Sequence, residues 1–438
     1  MMQTNEINKW YTSIFDEFER NLNGESKSPV HQLRKKAIKD FSQLSFPTNK
    51  NEEWRFTNIS PLLKHKFIPA SNAPSISRGE VDKFRFNGMK CSLMVFVNGF
   101  FSEDLSEIRS IKDTISIKSI SNAIKENNSQ IEKHFNKYAD SSTEIFTALS
   151  TAYVMDGAFI HVPEGVIIEE PIHILFLSSS KDDKILSHPR NLIITEKNSQ
   201  VLIIEHYAGL DNSIYFTNAV TEISAGENSV IHHTKIQEES KSSFHIARME
   251  TVQERNSLFT SNMISLGGEI TRNDFNTRFN GTGGESELNG LFLIDDQQLF
   301  DAHTLIDHAS PLCNSHELYK GILDGKSRGV FNGKVIVRKD AQKTNAFQEN
   351  NNIILSNEAL VNTKPQLEIF ADDVKCSHGA TIGQLDNEAL FYLKSRGIGE
   401  EKSRDILIHA FASDVVRRIK IDKIKEHIEN ILTKKFSW

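Results

Sequence analysis

Residues 197–257 decide the fold, and they read KNSQVLIIEHYAGLDNSIYFTNAVTEISAGENSVIHHTKIQEESKSSFHIARMETVQERNS. Short apolar strands alternate in this segment with small polar turns. The same turn signals continue to residue 284, and their centres are Asn198, Asn212, Asn228, Ser242, Asn256, Gly268 and Gly284. Successive centres are 14, 16, 14, 14, 12 and 16 residues apart, so two steps make one period of about 28 to 30 residues.

A fixed internal period predicts a solenoid, in which each coil buries its apolar face against its neighbours. A flattened β-helix with two long sides per coil fits a period made of two steps. An antiparallel meander or sandwich also produces strands at regular spacing. Residues 191–309 contain no proline, as the continuous ladders of both architectures require. The period favours the solenoid, and the sandwich stays as the alternative.

The texture of the sequence predicts four regions. Residues 1–90 form an N-terminal helical region, residues 91–157 a mixed linker with a strand and a helix, residues 158–397 the β core, and residues 398–438 a C-terminal helical region. Within the first region, residues 46–57, which include Trp54, predict a polar connection with an aromatic core that packs as a loop. Two apolar stripes mark the last region, and they comprise Leu407, Ala410, Phe411 and Val415, then Ile421, Ile424, Ile428, Ile431 and Leu432. These helices are expected to cap the β region, to dock a partner, or both.

Composition and charge exclude several classes of function. The 438 residues carry a net charge of −7, which is no electrostatic footprint for nucleic acid. No apolar run approaches the ~20 residues of a membrane span, and the N-terminal residues lack the layout of a signal peptide. A cytoplasmic protein without nucleic-acid or membrane partners is therefore expected. The chain also lacks a phosphate-binding loop, so it should not itself hydrolyse ATP.

Three cysteines stand at positions 91, 313 and 376, far apart and without a Cys-x-x-Cys motif. This spacing excludes a disulfide framework and a self-contained four-cysteine cluster site. Cys376 and His378 are two residues apart in an extended segment, so both project from one face of a strand. The pair could bind a soft or borderline metal, or hold sulfur, but supplies two ligands where a tetrahedral site needs about four. The alternative is a buried cysteine that acts as a small apolar residue beside a histidine bonded to the backbone.

Two other constellations are weaker candidates. Cys313 and His316 form a Cys-x-x-His step that could ligate metal in a loop, although nearby Pro311 and Asn314 suggest an ordinary turn. The acidic pairs Asp295-Asp296 and Asp372-Asp373 invite a glycosidase hypothesis. Adjacent strand residues point to opposite faces, however, so neither pair by itself forms a two-carboxylate site.

Four segments resemble the SufB/SufD family of iron–sulfur cluster assembly proteins. They are NEEWRFTNI (51–59), DAHTLIDHASPLCNSHELYKGIL (301–323), FNGKVIVRKDAQKTNAFQENNNIILS (331–356) and TKPQLEIFADDVKCSHGATIGQLDNEALFYLKSRGI (363–398). The chain looks like the SufD branch, because Cys376 to Thr381 keeps that branch's Cys-Ser-His-Gly-Ala-Thr motif. The SufB branch has a functional cysteine where Leu393 stands here.

The resemblance implies a mainly β fold, with a right-handed parallel β-helix core between helical segments. It also implies a non-catalytic scaffold subunit that pairs with SufB through the β-helix and binds the SufC ATPase through its C-terminal helices. A nascent iron–sulfur cluster would form at the interface shared with SufB, with His378 and Cys376 as the metal and cofactor ligands of this chain. The isolated chain need not hold a cluster, and it could form a homodimer. The contrasting hypothesis is a metal-dependent β-helical hydrolase that acts alone.

Overall fold

A computed structural model of the protein describes residues 2–22, 29–109, 115–126, 128–180 and 184–436. The molecule is mainly β, with helices toward both termini. The helices are α1 (Met2–Arg20), α2 (Pro29–Gln43), α3 (Ser60–Leu63), α4 (Arg78–Asp82), α5 (Ile120–Lys125), α6 (Ser129–His134), α7 (Ile145–Ala152), α8 (Asn387–Ser395), α9 (Glu400–Val416) and α10 (Asp422–Phe436). None of the helices in these ranges is both long enough and apolar enough to cross a lipid bilayer.

Two large sheets, named here A and B, form the core. Sheet A contains β1 (Ile68–Pro69), β4 (Ser116–Ser119), β5 (Ala158–Val162), β7 (Ile185–Ser187), β8 (Arg190–Thr195), β10 (Phe216–Ala225), β12 (Phe244–Gln253), β14 (Ile270–Phe279), β16 (Leu299–His308), β18 (Arg328–Val337) and β20 (Leu360–Ile369). Sheet B contains β2 (Ser92–Val97), β3 (Phe100–Phe101), β6 (Ile172–Ser178), β9 (Gln200–Gly209), β11 (Val230–Glu238), β13 (Leu258–Ser265), β15 (Glu285–Ile294), β17 (Asn314–Leu323), β19 (Thr344–Ile354) and β21 (Val374–Gly383). From β8 onward, consecutive strands alternate between the two sheets.

The strand register confirms the predicted solenoid. In sheet A, Phe216 pairs with Phe244, Phe244 with Ile270, and Ile270 with Leu299, all in parallel ladders. Neighbours in one sheet are therefore one coil apart, and the stack makes about eight coils. The antiparallel sandwich is wrong for this chain, since antiparallel pairing among the described residues is confined to the start of the stack, between β2 and β3, between β4 and β5, and in one bridge from Leu93 to Glu107. Parallel crossovers are right-handed in nearly all proteins, which is the hand that the resemblance implies.

The polar turn residues from which the period was read lie at the corners of the coils. Asn198, Asn228 and Asn256 occupy equivalent corners and have φ angles of 57°, 56° and 56°. Asparagine tolerates this left-handed conformation better than most residues do. The Asn228 side chain donates to the Asn198 side chain at 2.9 Å, and Asn256 donates to Asn228 at 3.2 Å. The repeated Asn-Ser pairs thus form a hydrogen-bonded ladder along one edge of the solenoid.

The first coils recruit strands from the predicted linker. The predicted strand is β2, which pairs in parallel with β6, and Asn98 and Gly99, with φ angles of 51° and 87°, form the turn into β3. The region also contains β4, and the predicted helix is divided between α5 and α6. The division of the chain at residues 90, 157 and 397 stays a prediction.

Helical layers cover the outer faces of both sheets. α1, α2, α3 and α7 pack on apolar side chains of sheet A, among them Phe216, Phe244 and Ile270. α9 and α10 pack on the outer face of sheet B, against residues such as Ile236 and Leu291. The expectation that the C-terminal helices cap the end of the stack is therefore wrong, because they lie along its side.

The two C-terminal apolar stripes were predicted with unequal success. The stripe of α10 is buried at Ile424, Ile428 and Leu432, as predicted. The α9 stripe is confirmed at Val415, which is buried, and at Phe411, which packs on the sheet B cluster, but it is wrong at Ala410, which is exposed while Ile408 and Ala412 are buried. Charged side chains on α9 explain the error: Lys320 of sheet B reaches Asp414 at 2.5 Å, so a polar contact also faces the sheet.

The interior of the solenoid contains a buried ionic network in its middle coils. Lys235 is fully buried, and its ammonium group lies 2.9 Å from His245 Nε2 and 2.7 Å from Asn273 Oδ1. His245 Nδ1 lies 2.7 Å from a carboxylate oxygen of Glu239. On the neighbouring strand Glu205 is paired in register with Lys235. Burial lowers the pKa of Lys235 to about 8, against the opposing effect of the Glu205 and Glu239 carboxylates.

The connection at residues 51–57 is packed around Trp54, as predicted. Trp54 lies in a single 3-10 turn (Glu52–Trp54), is buried, and stacks on the guanidinium of Arg272 at 3.7 Å. Arg272 Nη1 donates to the carbonyl oxygen of Glu53 at 2.7 Å and to Asp301 Oδ2 at 2.8 Å. Thr57 donates to the same Asp301 oxygen at 2.5 Å. Arg272 therefore anchors this connection to the outer face of sheet A.

His303 belongs to the same cluster and gives it a pH dependence. Its Nε2 lies 3.1 Å from Asp301 Oδ1, and its Nδ1 lies 3.3 Å from a Glu53 carboxylate oxygen. Burial is the largest single effect and disfavours the charged ring, but the Asp301 charge together with the hydrogen bonds to Asp301 and Glu53 outweighs it and raises the pKa of His303 to about 9. For Asp301, burial also opposes ionisation, yet the His303 and Arg272 charges lower its pKa to about 2.

We expect the anchoring of residues 51–57 to be strongest between about pH 4 and pH 6.5. These limits are the pKa values of ~3.9 for Asp301 and ~6.5 for His303 in the unfolded chain. The His303 contribution is complete below ~6.5 and is lost as pH rises through about 9, because its folded pKa is raised. The Asp301 contribution is complete above ~3.9 and is lost as pH falls through about 2. Denaturation midpoints followed by Trp54 fluorescence across pH will test this, and His303→Gln should remove the alkaline loss alone.

Candidate functional site

The last coil of the solenoid is open. β20 pairs only with β18, and β21 only with β19, so each strand ends its sheet within the described residues. Residues that would be interior in a longer stack are exposed here. The exposed fraction is 40% for Ile369, which pairs with the interior residue Val337, and 48% for Ile382. An open edge of two strands is a template for pairing with another chain.

Cys376 lies on β21 with its side chain toward the interior of this open coil. Together with Val374 it packs against the interior apolar cluster and is partly exposed. Its pairing partner is Ala346 on β19. Burial raises the pKa of the Cys376 thiol, against a smaller opposite effect of a hydrogen bond from the Ala346 backbone. The thiol is therefore held protonated until a cation or a metal favours the thiolate.

His378 follows on the same face of β21, two residues further along, and is exposed at the open end. It pairs with Gln348 of β19, which in turn pairs with Glu317 of β17. The predicted juxtaposition of Cys376 and His378 on one strand face is thus present, at the end of the stack and not on its flank. The site is within reach of a neighbouring molecule.

The other candidate constellations are not brought together. Cys313 is buried and its Sγ lies 3.4 Å from the carbonyl oxygen of Gly281, while the ring of His316 stacks on Phe347. Asp295 and Asp296 both accept hydrogen bonds from Lys241, at 2.5 and 2.8 Å, so this acidic pair is engaged in ion pairs. No group of three or more His, Cys, Asp or Glu side chains within the described ranges is arranged to hold a metal ion.

The geometry of the last coil supplies a thiol and an imidazole on one strand face, open to solvent. Two ligands bind a tetrahedral metal or an iron–sulfur cluster weakly, since such sites use about four. Since the described residues place no third ligand beside this pair, a metal or cluster site here would need ligands from a second molecule at the open end. We refer to Cys376 and His378 below as the half-site.

Comparison with known proteins identifies the family of the chain. Residues 176–411 match the family model described as SUF system FeS cluster assembly, SufBD core domain. Residues 5–174 match the model described as SufBD protein N-terminal region. Together the two models span nearly the whole chain. The chain belongs to the SufBD family.

Three relatives of the SufBD chain are similar to it along nearly their whole length. An iron–sulfur cluster assembly SufBD family protein of Synechocystis is 33% identical over 420 residues, which cover 94% of this chain and 92% of the relative. The iron–sulfur cluster assembly protein SufD of Escherichia coli is 27% identical, with 97% and 95% covered. The Bacillus subtilis SufD is 26% identical, with 97% and 98% covered. The chain is accordingly an iron–sulfur cluster assembly protein with SufD homologues.

Two residues of this SufBD chain that face the half-site were missed by the sequence reasoning. Gln348 and Glu317 lie one and two coils inward from His378, in the same column. The sequence does contain a signal for this column, because residues 317, 348 and 378 are separated by 31 and 30 positions, close to the repeat period. Only the register shows that the three positions share an interior face.

Proposed function

We propose that the chain is a non-catalytic scaffold subunit of an iron–sulfur cluster assembly complex, which pairs with SufB and binds the SufC ATPase. The open last coil carries this proposal, because it presents Cys376 and His378 to whatever molecule covers it. The nascent cluster would be shared with SufB, and His378 and Cys376 are the ligands proposed for this chain. The cytoplasm is the proposed location.

The edges of β20 and β21 support pairing with a second solenoid of the same family. Strand addition to an open edge satisfies the unpaired backbone groups and covers apolar side chains such as Leu360 and Ile382. A homologous solenoid has coils of matching width, so both sheets could continue across the seam. A second copy of this chain could cover the same edges in isolation, which makes a homodimer the competing assembly.

The C-terminal helices are the proposed contact for the ATPase. α9 and α10 are fixed to sheet B by their buried apolar faces, and their opposite faces remain exposed. Ile406 on α9 is one of the large apolar side chains that stay exposed. A rigid helical layer beside the open coil could transmit movement of the ATPase to the seam.

His378→Ala is expected to abolish complementation of a strain that lacks its own copy of this protein, because half of the ligand pair is lost. Growth under iron limitation measures the effect, and the loss should be near complete. Ser377→Ala is the matched control, since Ser377 is exposed on the opposite face of the same strand, where it pairs with Phe347. Wild-type growth of the His378→Ala strain would contradict the ligand role.

The alternative function is a metal-dependent β-helical hydrolase that acts alone. It requires a complete site within one chain, whereas the described residues bring no third ligand to Cys376 and His378. Purification of the tagged chain from cells separates the two functions. A scaffold should carry the ATPase and the homologous subunit with it, and a hydrolase should cleave a glycan or ester without them.

A further inference from the structure

Gln348 is a buried polar side chain directly beneath the half-site. It is 1% exposed and projects into the solenoid interior from β19, whose neighbour on the open side is His378 of β21. Its amide nitrogen donates to Glu317 Oε2. Its amide oxygen, Oε1, is buried and has no hydrogen-bond partner among the described residues. A buried acceptor without a donor is costly, so this oxygen calls for an explanation.

Glu317 determines the orientation of the Gln348 amide. Its carboxyl group is fully buried one coil further inward, and burial raises its pKa to about 7, against the opposite effect of hydrogen bonds that include the one from Gln348. Once Glu317 is ionised, above about pH 7, its carboxylate oxygen accepts only from the amide nitrogen of Gln348 and not from its oxygen. Under those conditions the Gln348 oxygen is directed away from Glu317.

Gly333 on the facing sheet leaves room for this amide. A Cβ atom at Gly333 would lie 2.2 Å from Gln348 Nε2, closer than any packed structure allows. The side chain of Gln348 thus reaches across the interior and occupies the space above a glycine of β18. Its position is set on two sides, by the hydrogen bond to Glu317 and by the absence of a side chain at Gly333.

We propose that Gln348 is a positioning residue for His378, with its unpartnered amide oxygen as the acceptor for one ring N–H of that histidine. Strands in a sheet lie ~4.8 Å apart, so side chains on the same face of β19 and β21 are within reach of each other. The hydrogen bond would select one tautomer of the neutral ring and leave the other ring nitrogen free for a ligand. The use of that nitrogen for a cluster rests on the proposed function, but the tautomer selection does not.

The test measures the tautomer of His378 in the full-length chain. Nitrogen-15 shifts of labelled histidine distinguish the two neutral tautomers, and His378→Asn identifies the signal. We expect Gln348→Leu to change the tautomer ratio about five-fold, the effect of one ordinary hydrogen bond. Asn350→Leu is the matched control, because it removes another buried amide from the same strand face.

A second variant guards against a misfolded Gln348→Leu protein. Gly333→Ala keeps a glutamine at position 348, but the added Cβ displaces its amide. The tautomer ratio of His378 should therefore change in the same direction as in Gln348→Leu. Equal ratios in the wild type and in both variants would overturn the proposal. A changed ratio without any loss of complementation would uphold the positioning role and count against the use of His378 in the proposed function.

Cobalt binding by the same full-length proteins gives an independent readout. Residues that orient a metal-binding histidine typically change metal affinity by about 10- to 100-fold when they are replaced. Titration with Co²⁺ alone, followed by the thiolate-to-cobalt absorption of Cys376, should show a loss of this size for Gln348→Leu and none for Asn350→Leu. Equal weakening by both substitutions would indicate general damage to the coil and would contradict a specific role for Gln348.

Discussion

Replacing Arg272 by methionine is expected to lower the free energy of unfolding of the N-terminal layer by about 3–5 kcal/mol, the usual cost of removing one partner from a buried ion pair. The Arg272 guanidinium is held by Asp301, Asp274 and the stacked ring of Trp54. Without it, the buried Asp301 carboxylate loses one of the two charges, those of His303 and Arg272, that offset the cost of its burial. The connection at residues 51–57 should then detach from sheet A before the solenoid unfolds.

Trp54 fluorescence provides the measurement. The sequence contains three tryptophans, at positions 10, 54 and 438, so Trp10→Phe with Trp438→Phe leaves Trp54 as the single reporter. Guanidinium unfolding in that background should show an early transition for Arg272→Met. Arg278→Met is the matched control, because Arg278 lies on the same strand with its side chain 60% exposed and 3.9 Å from Asp307. An exposed pair of this kind contributes about 0–1 kcal/mol.

A double substitution sharpens this experiment. Arg272→Met together with Asp301→Asn removes both charges, so the loss should be smaller than for Arg272→Met alone. Equal destabilisation by Arg272→Met and Arg278→Met would show that the cluster does not anchor the N-terminal layer.

Ile382→Glu is expected to weaken assembly with a SufB subunit by at least about 100-fold, equivalent to ~2.7 kcal/mol. Ile382 lies on β21 at the open end, and a partner coil stacked there would bury the new carboxylate without a cation. In the isolated chain the position is exposed, so the fold itself should be little affected. Affinity between the purified subunits measures the effect, and thermal unfolding of the isolated variant checks the fold.

Ile167→Glu is the matched control for this substitution. Ile167 is 58% exposed, comparable to Ile382, but it bridges to Gln200 in an early coil, far along the stack from the open end. It should leave assembly unchanged. If both variants bind SufB like the wild type, the partner does not cover the last coil, and the proposed seam would have to lie elsewhere.

The sequence predicted the architecture well because the corners carry their own chemistry. The left-handed asparagines at positions 198, 228 and 256 recur once per coil, so the period is visible without any structure. The same-face placement of Cys376 and His378 needed only strand geometry. The helical stripe of α10 followed from its spacing, whereas that of α9 was right only in part, since its contacts with sheet B include charged as well as apolar side chains.

The rest of the site could not be predicted, because it depends on exact register. Gln348 and Glu317 belong to a column whose members lie 30 and 31 residues apart, and corner lengths vary enough to hide it. Arg272 and Trp54 meet across 218 positions of sequence (272 minus 54), and nothing local to either residue indicates the other. The exposed last coil was likewise hidden, since the sequence does not show where the C-terminal helices lie.

The ionic network around Lys235 also bears on how such a chain finds a unique fold. Coils of similar width, built from the same kind of strand, could mispair by a whole repeat with little loss of apolar contact. In the native strand register Lys235 lies between Glu205 of the preceding coil and Met263 of the next coil. Only this register therefore gives Lys235 a carboxylate neighbour. A slipped coil would enclose a cation without a counter-ion, a penalty of several kcal/mol. The network therefore favours the native strand register. States in which a coil has slipped by one repeat are disfavoured during folding as well as at equilibrium.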